Sequence, residues 1–408
     1  MSNWLNQVLD RPAVEDGLQV QRARAREALS VARWPGRKVE DWRYTPVRAL
    51  EKSAFVQATL PAEPAPAIGN LETLDIVLRD GMPILPEGLP EGVSIAFLSD
   101  AKAVSLFGSV KPERHLFGLV NDLLATTGVY IEVAAGVEVE RPLRVVYQAG
   151  EGEQVQQRVL VKLAAGARAT VIEHSESAVE SFTCAYAEYL LEESAHLEHY
   201  RFVLNGGAAL HIGGCHFSLA GKSELNSTLV GFGSDLSRLD VDVIHAGQFA
   251  TAAMNAIYLL DGSELFDLHT TIEHASPNGT TEENVRGIVA DKARAVFNGR
   301  IHIHRDAQKT LAELNNRNLL LSEGAEVNTK PELEIYADDV RCAHGATIAE
   351  TDKQALYYLQ SRGISKAQAQ IMLNFGFINE LVDAMPNAAL AEWLRPRLRE
   401  RFARMEAQ

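Results

Sequence analysis

The sequence predicts a mainly β protein built as a solenoid, with helical regions at both ends. Three observations carry this. First, a small residue after a turn former repeatedly opens an alternating apolar–polar run: Ala167 before RATVIEHS, Ala195 before HLEHYRFV, Ser223 before ELNSTLVG, Ser263 before ELFDLHTTIEH, Ala293 before RAVFNGRIHIH, Ala325 before EVNTKPELEIY. Second, these openings recur every 28 to 40 residues, the range of repeat architectures. Third, the runs have a period of two, with Ile301 and Ile303 set against His302 and His304, and Leu333 and Ile335 against Glu332 and Glu334, as strands with one buried face require. A single strand–turn–strand unit cannot bury its apolar face alone, whereas stacked units share a continuous interior. A β-sandwich with long hairpins is the second choice.

Before that centre the chain is mixed. Residues 16–33 read as a helix with Leu18, Val20, Ala23, Ala25, Leu29 and Val31 as its apolar stripe, stopped by Trp34-Pro35-Gly36. RKVEDWRYT follows, a charged loop in which Trp42 and Tyr44 are aromatic anchors. Pro61 to Pro66 form a proline-rich spacer. Residues 75–78 and 93–98 suit short strands, 115–125 a helix, and 128–133 a strand again.

In the centre, turns are expected at Asn298-Gly299, Glu323-Gly324 and Asp338-Asp339. After Thr347 the texture becomes helical. Residues 352–362 form one helix, with Gly363 suited to the left-handed position after its end. Ser365 and Gln368 form a capping box for the next, whose stripe is Ala367, Ile371, Phe375 and Ile378. Pro386 precedes a last helix over 388–405. Two readings stay open for these helices: they cap the last rung, or they present a docking face. Three domains are expected: 1–125 helical and mixed, 126–346 the β core, and 347–408 helical.

Composition narrows the function. The 408 residues carry a net charge of −15, which argues against nucleic-acid partners and a basic membrane face. Cys184, Cys215 and Cys342 are three cysteines without paired spacing, so no disulfide framework is implied. The start MSNWLNQVLDRPAVED lacks a signal peptide's basic residues and apolar run, and no stretch approaches the ~20 apolar residues of a membrane span. A cytoplasmic protein fits. Walker A, Gly-x-Gly-x-x-Gly before a helix, Cys-x-x-Cys, His-Glu-x-x-His and Gly-x-Ser-x-Gly patterns are missing from the sequence.

The chemistry concentrates at Cys342 and His344. On a strand, residues two apart share a face at roughly 7 Å, so thiolate and imidazole could reach one soft metal, or His344 could promote ionisation of the thiol. Two ligands leave a site incomplete, so a partner must supply the rest. The plain alternative makes Cys342 a buried small hydrophobe and His344 a hydrogen-bonded strand end. His302 and His304 read as solvated, and Cys184 and Cys215 as core, with His211 and His216 weak candidates beside Cys215. Asp240, Asp242 and Asp267 matter for a rival function, a carbohydrate-active β-helix enzyme with two opposed carboxylates.

Four stretches carry a family resemblance. AQKTLAELNNRNLLLSEGAEVNTKPELEIYADDVRCAHGAT over 307–347, RKVEDWRYT over 37–45, HLFGLVNDLLATTGVYIEVAAGVEVERPLRVVYQ over 115–148 and TDKQALYYLQSRGISKAQAQIMLNFGFINELV over 351–382 resemble the SufB/SufD family of iron–sulfur cluster assembly proteins. The Cys-x-His-Gly-Ala-Thr ending is most like the SufD branch; Ala343 stands where a serine is common. The resemblance implies a right-handed parallel β-helix core and a scaffold subunit rather than an enzyme. Its implied partners are SufB, through the β-helix, and the ABC-type ATPase SufC, through the carboxy-terminal helices. The matching Cys and His lie at the SufB–SufD interface in the family, which makes His344 first and Cys342 second the expected cluster- or metal-associated residues. The matching docking segment brings in Leu356, Tyr357, Tyr358, Leu359, Arg362, Gly363, Ile364, Ile371, Phe375 and Phe377. ATP hydrolysis by SufC would rearrange the interface and expose Cys342 and His344. No tightly bound cofactor is expected. A transient iron–sulfur cluster or iron shared with SufB, a flavin in the complex and a homodimer of the isolated chain are all compatible with the resemblance. A third possibility, a subunit building a cluster by itself as SufB does, fits poorly with three cysteines.

Overall fold

A computed structural model describes residues 3–406 apart from Ala13, Thr59 and Asp80. The expected outer domains also take in residues 1, 2, 407 and 408, which lie outside the described residues. The amino-terminal part holds α1 (Asn3–Leu9), α2 (Gln19–Val31), a 3-10 turn (Glu40–Trp42), α3 (Arg48–Lys52), β1 (Val56–Gln57), β2 (Leu74–Leu78), β3 (Val93–Phe97), α4 (Ala101–Leu106) and α5 (Leu116–Leu124). Sixteen strands follow: β4 (Thr127–Val133), β5 (Leu143–Tyr147), β6 (Glu153–Leu163), β7 (Arg168–Ser175), β8 (Ser181–Leu191), β9 (His196–Val203), β10 (Ala209–Leu219), β11 (Glu224–Phe232), β12 (Leu236–His245), β13 (Thr251–Leu260), β14 (Leu265–His274), β15 (Thr280–Val289), β16 (Arg294–Ile303), β17 (Leu311–Leu320), β18 (Glu326–Ile335) and β19 (Arg341–Glu350). The chain ends on α6 (Lys353–Ser361), α7 (Lys366–Asp383) and α8 (Ala388–Glu406).

Even-numbered strands from β4 to β18 stack in parallel into one sheet and odd-numbered strands from β5 to β19 into another. Each even–odd pair is one turn, giving a parallel β-solenoid of about eight turns. β3 joins β4 antiparallel, while β1 and β2 pair with β6 and β5. Gln154 pairs with Phe182, Ser181 with Ala209, Leu210 with Leu236 and Arg294 with Glu326, offsets of 28, 28, 26 and 32 residues. The expected repeat was therefore right in kind but wider than the real one. Ala167, Ala195 and Ser223 open strands of the odd sheet, whereas Ser263, Ala293 and Ala325 stand ahead of strands in the even sheet. The 40-residue gap between Ser223 and Ser263 is the step from one stack to the other.

The interior explains the alternation. Ile301, Ile303, Phe297 and Leu314 are fully buried between the sheets together with the alternate residues of every earlier turn. A second repeat, invisible to hydrophobic patterning, lies in the turns. Gly136, Gly166, Ser194, Lys222, Phe249, Asn278 and Lys309 all have positive φ, once per turn. The amides of Ser194, Lys222, Asn278 and Lys309 each donate to a carbonyl of the next turn, of Gly221, Gln248, Gln308 and Asp339. The left-handed conformation aims each N–H along the stack, so the turns form their own ladder. Asn298-Gly299 is not a turn: it lies inside β16, where a Cβ on Gly299 would come within 2.5 Å of Leu314 and 2.7 Å of Phe297. Glycine there makes room for interior side chains. Glu323-Gly324 and Asp338-Asp339 do lie between strands.

Helices cover both outer faces. Trp4, Leu5, Leu29, Trp42 and Phe117 pack on Phe182, Cys184, Tyr186 and Ile212 of the even sheet. Ile378, Leu381, Leu390, Trp393, Leu398 and Phe402 pack on Ile172, Phe202, Val230, Ile257 and Ile288 of the odd sheet. The expected helix stripes are partly corrected. Of the stripe expected over residues 16–33, Leu18, Ala25 and Leu29 are buried, but Val20, Ala23 and Val31 point to solvent. The buried place is taken by Arg22, which donates to Asp16 and to the carbonyls of Leu123 and Ala125 at the end of α5. In α7 Ala367 is exposed and the buried face runs through Ala369, Gln370, Asn374, Ile378 and Leu381.

Candidate functional site at the open end of the solenoid

The solenoid ends without a lid. The sheets finish on β18 and β19, and neither strand has a further partner among the described residues. Pro331 sits in β18, where an edge strand tolerates its missing N–H. Ile335, Tyr336 and Ile348 are exposed on this last turn. Of the two readings left open for the carboxy-terminal helices, capping of the last rung is not what α7 and α8 do: they lie along the side of the odd sheet.

Cys342 and His344 lie on β19 in register with Ala312 and Leu314, both fully buried. The pair therefore continues the interior-facing column into the open end. Cys342 is half-buried and packs against the edge of the interior core. Burial pushes its thiol up, so it stays protonated at neutral pH until a metal or cation arrives. His344 is exposed, and its imidazole takes part in no hydrogen bond or ion pair among the described residues. No third His, Cys, Asp or Glu among the described residues joins them into a ligand group, so this chain contributes at most half of a site there.

The docking candidates divide. On α6 no residue is buried; Tyr357 and Tyr358 are 74% and 57% exposed, beside half-buried Leu356 and Leu359. Asp352 caps the helix by accepting from the amides of Gln354 and Ala355. Arg362 lies over the Tyr358 ring at 5.2 Å, Gly363 has φ +84°, and Ser365 caps α7 by accepting from the Gln368 amide. Ile371, Phe375 and Phe377 instead lean on the molecule's own core, where Arg395 and Arg399 lie over the Phe375 ring. Ile364 is half-buried between the helices.

The other reactive residues sit elsewhere. His302 and His304 point outward, against Glu334 at 2.9 Å and Glu273 at 2.5 Å. Cys184 and Cys215 are both fully buried, but on opposite sides of the even sheet: Cys184 faces the amino-terminal helices and Cys215 the interior. Cys215 donates to Glu173, which also accepts from Tyr147, Tyr189, Arg201 and His199. Burial would raise the Glu173 carboxyl, but Arg201 and His199 outweigh it and bring it down to about 2. His211 shares this interior, facing Arg201 at 3.2 Å. Its neighbour His216 projects outward instead, because residues five apart on a strand face opposite ways.

Asp240, Asp242 and Asp267 are brought together, but by cations. They lie on the outer face of β12 and β14 beside a cleft of about 300 Å³, whose walls include Arg114, His115, Arg238 and His269. Arg238 bridges Asp240 at 2.8 Å and Asp267 at 2.7 Å. Burial opposes their ionisation, yet Arg238 holds both carboxyls below the usual range. A glycosidase acid needs a carboxyl pushed the other way, so the rival function loses its residues. One grouping here had no signal in the sequence: His115, His216 and Asp242 converge within 4.8 Å of one another, although His115 and Asp242 are 127 positions apart.

Comparison with known proteins decides the family. The model of the SufBD core domain of the SUF iron–sulfur cluster assembly system matches residues 145–377, more than half of the chain. The chain belongs to the SufB/SufD family. It is similar to the iron–sulfur cluster assembly protein SufD of Escherichia coli, at 32% identity over 90% of this chain and 89% of that protein. A SufBD-family iron–sulfur cluster assembly protein of Synechocystis is 28% identical over 93% of this chain and 90% of its own. The chloroplastic protein ABCI7 of Arabidopsis thaliana is 29% identical over 93% and 85%. These SufD and SufBD relatives are named as assembly proteins, not as enzymes. No helix among the described residues is long and apolar enough to cross a membrane.

Proposed function

We propose that the protein is a scaffold subunit of the SUF system without turnover of its own, working in the cytoplasm. It pairs with SufB through the open last turn and binds SufC through α6 and the start of α7. The supporting observation is the half-complete ligand pair Cys342 and His344 on a strand whose outer edge is unpaired among the described residues, among exposed Ile335, Tyr336 and Ile348. A second subunit laid against β18 and β19 would cover that apolar surface, exclude water and add the missing ligands. Iron or a nascent cluster is the cargo of that shared site rather than a resident cofactor of this chain; a flavin, if one is present, belongs to the complex.

The coupling is mechanical. β19 ends at Glu350 and α6 starts at Lys353, so a movement of α6 imposed by an ATPase is passed directly to the strand carrying Cys342 and His344. The test is a pull-down with purified SufB and SufC, followed by anaerobic cluster reconstitution. Deleting residues 352–408 is expected to lose SufC. His344→Ala is expected to assemble but to build less cluster. Recovery of neither partner by the wild type would overturn the proposal.

A further inference from the structure

We infer that His115, His216 and Asp242 form a second metal site, for a divalent first-row transition ion, on the outer face of the even sheet, whereas Cys342 faces the interior. This inference does not depend on the proposed function. Asp242 Oδ2 lies 2.6 Å from His115 Nε2 and 2.7 Å from His216 Nδ1. One carboxylate oxygen thus stands between two imidazole nitrogens from separate parts of the chain. His216 is fully buried, yet its Nδ1 is not in hydrogen-bond geometry with Asp242, and both ring nitrogens are left without a hydrogen-bond partner. A buried imidazole left so is costly unless something else occupies its lone pair.

The surroundings are those of a built site. Behind His115, Asp240 Oδ2 faces Nδ1 at 3.5 Å and is itself held by Arg238. That carboxylate–histidine arrangement fixes which ring nitrogen points at a metal. His216 is clamped between Tyr186, nearly parallel at 9°, and His115, with ring centroids 5.8 and 5.2 Å away. Gly214 leaves room for it: a Cβ there would come within 2.8 Å of His216 Nε2. Two histidines and one carboxylate supply three ligands, and the cleft in front of His115 and Asp242 leaves the remaining positions to water. Arg114, 44% exposed, covers the other Asp242 oxygen and can swing into solvent when an ion enters.

The test uses the untagged full-length protein, stripped of metal and titrated anaerobically with Co(II), Zn(II) and Fe(II) in separate arms. One equivalent of Co(II) is expected, with visible d–d bands and no thiolate charge-transfer band, and displaceable by Zn(II). The Fe(II) arm reads whether iron takes the same site. Asp242→Asn and His115→Gln are each expected to weaken binding at least tenfold. Circular dichroism of the metal-free variants checks that both stay folded; if one does not, the other still reads the ligand set. The double variant Cys342→Ser/His344→Ala should bind as the wild type does. Absent Co(II) binding, affinity unchanged in both site variants, or loss in the Cys342/His344 double variant would each overturn the inference.

Discussion

At the level of single residues, the solenoid interior is more polar than its pattern suggests. Glu173 and Arg201 are both fully buried, with the carboxylate shared among Tyr147, Tyr189 and His199. Removing one member leaves the other as an uncompensated buried charge, which costs about 3–5 kcal/mol. Glu173→Gln should therefore lower unfolding free energy by about that amount in urea titrations, far more than a surface Glu→Gln. His245 and His274 add a pH dependence. Their rings stack at 4.1 Å, and burial lowers them to about 4 and about 2. The folded values lie below the ordinary ~6.5, so the unfolded chain takes up protons first and stability falls as pH drops below about 6.5. A Tm series from about pH 7.5 to 5 should show this decline, and His274→Gln should flatten it.

At the level of elements, the two ends of the carboxy-terminal region differ in what they hold. Trp393 of α8 lies against Phe202 and His174, so Trp393→Ala should cost about 3–5 kcal/mol. Tyr357→Ala with Tyr358→Ala on α6 should change stability by less than about 0.5 kcal/mol per site while weakening the proposed ATPase contact; a parallel thermal shift and binding assay separates the two. The turn ladder makes a different prediction. Lys222 holds φ +56° without being glycine, a conformation that costs an L-residue about 1–2 kcal/mol. Lys222→Gly should therefore raise Tm slightly, against the general rule for glycine in a folded chain.

At the level of the whole molecule, the fold is a parallel β-solenoid whose last turn ends on the edges of β18 and β19. Helices pack on parts of both outer faces, and the last turn offers a partner two strand edges unpaired among the described residues. A charge at Ile348, 47% exposed on β19, should abolish the proposed pairing there while leaving Tm unchanged; size-exclusion chromatography with purified SufB checks it. Retained pairing would move the interface elsewhere.

What was legible in the sequence was whatever repeats or lies close along the chain. Ile301 and Ile303 announced a strand because neighbours two apart share a face, and Cys342 and His344 could be paired for the same reason. Ser365 and Gly363 marked helix ends through local backbone chemistry. The resemblance of residues 307–347 then identified the family. Only the tertiary structure could show that the repeats fall into two stacks, or that Gly299 clears space for Leu314. It alone brings His115 of the amino-terminal region onto the strands that carry His216 and Asp242. The physical reason is register: in a parallel solenoid, residues about 28 apart become neighbours, and an outer layer adds contacts that no spacing rule encodes.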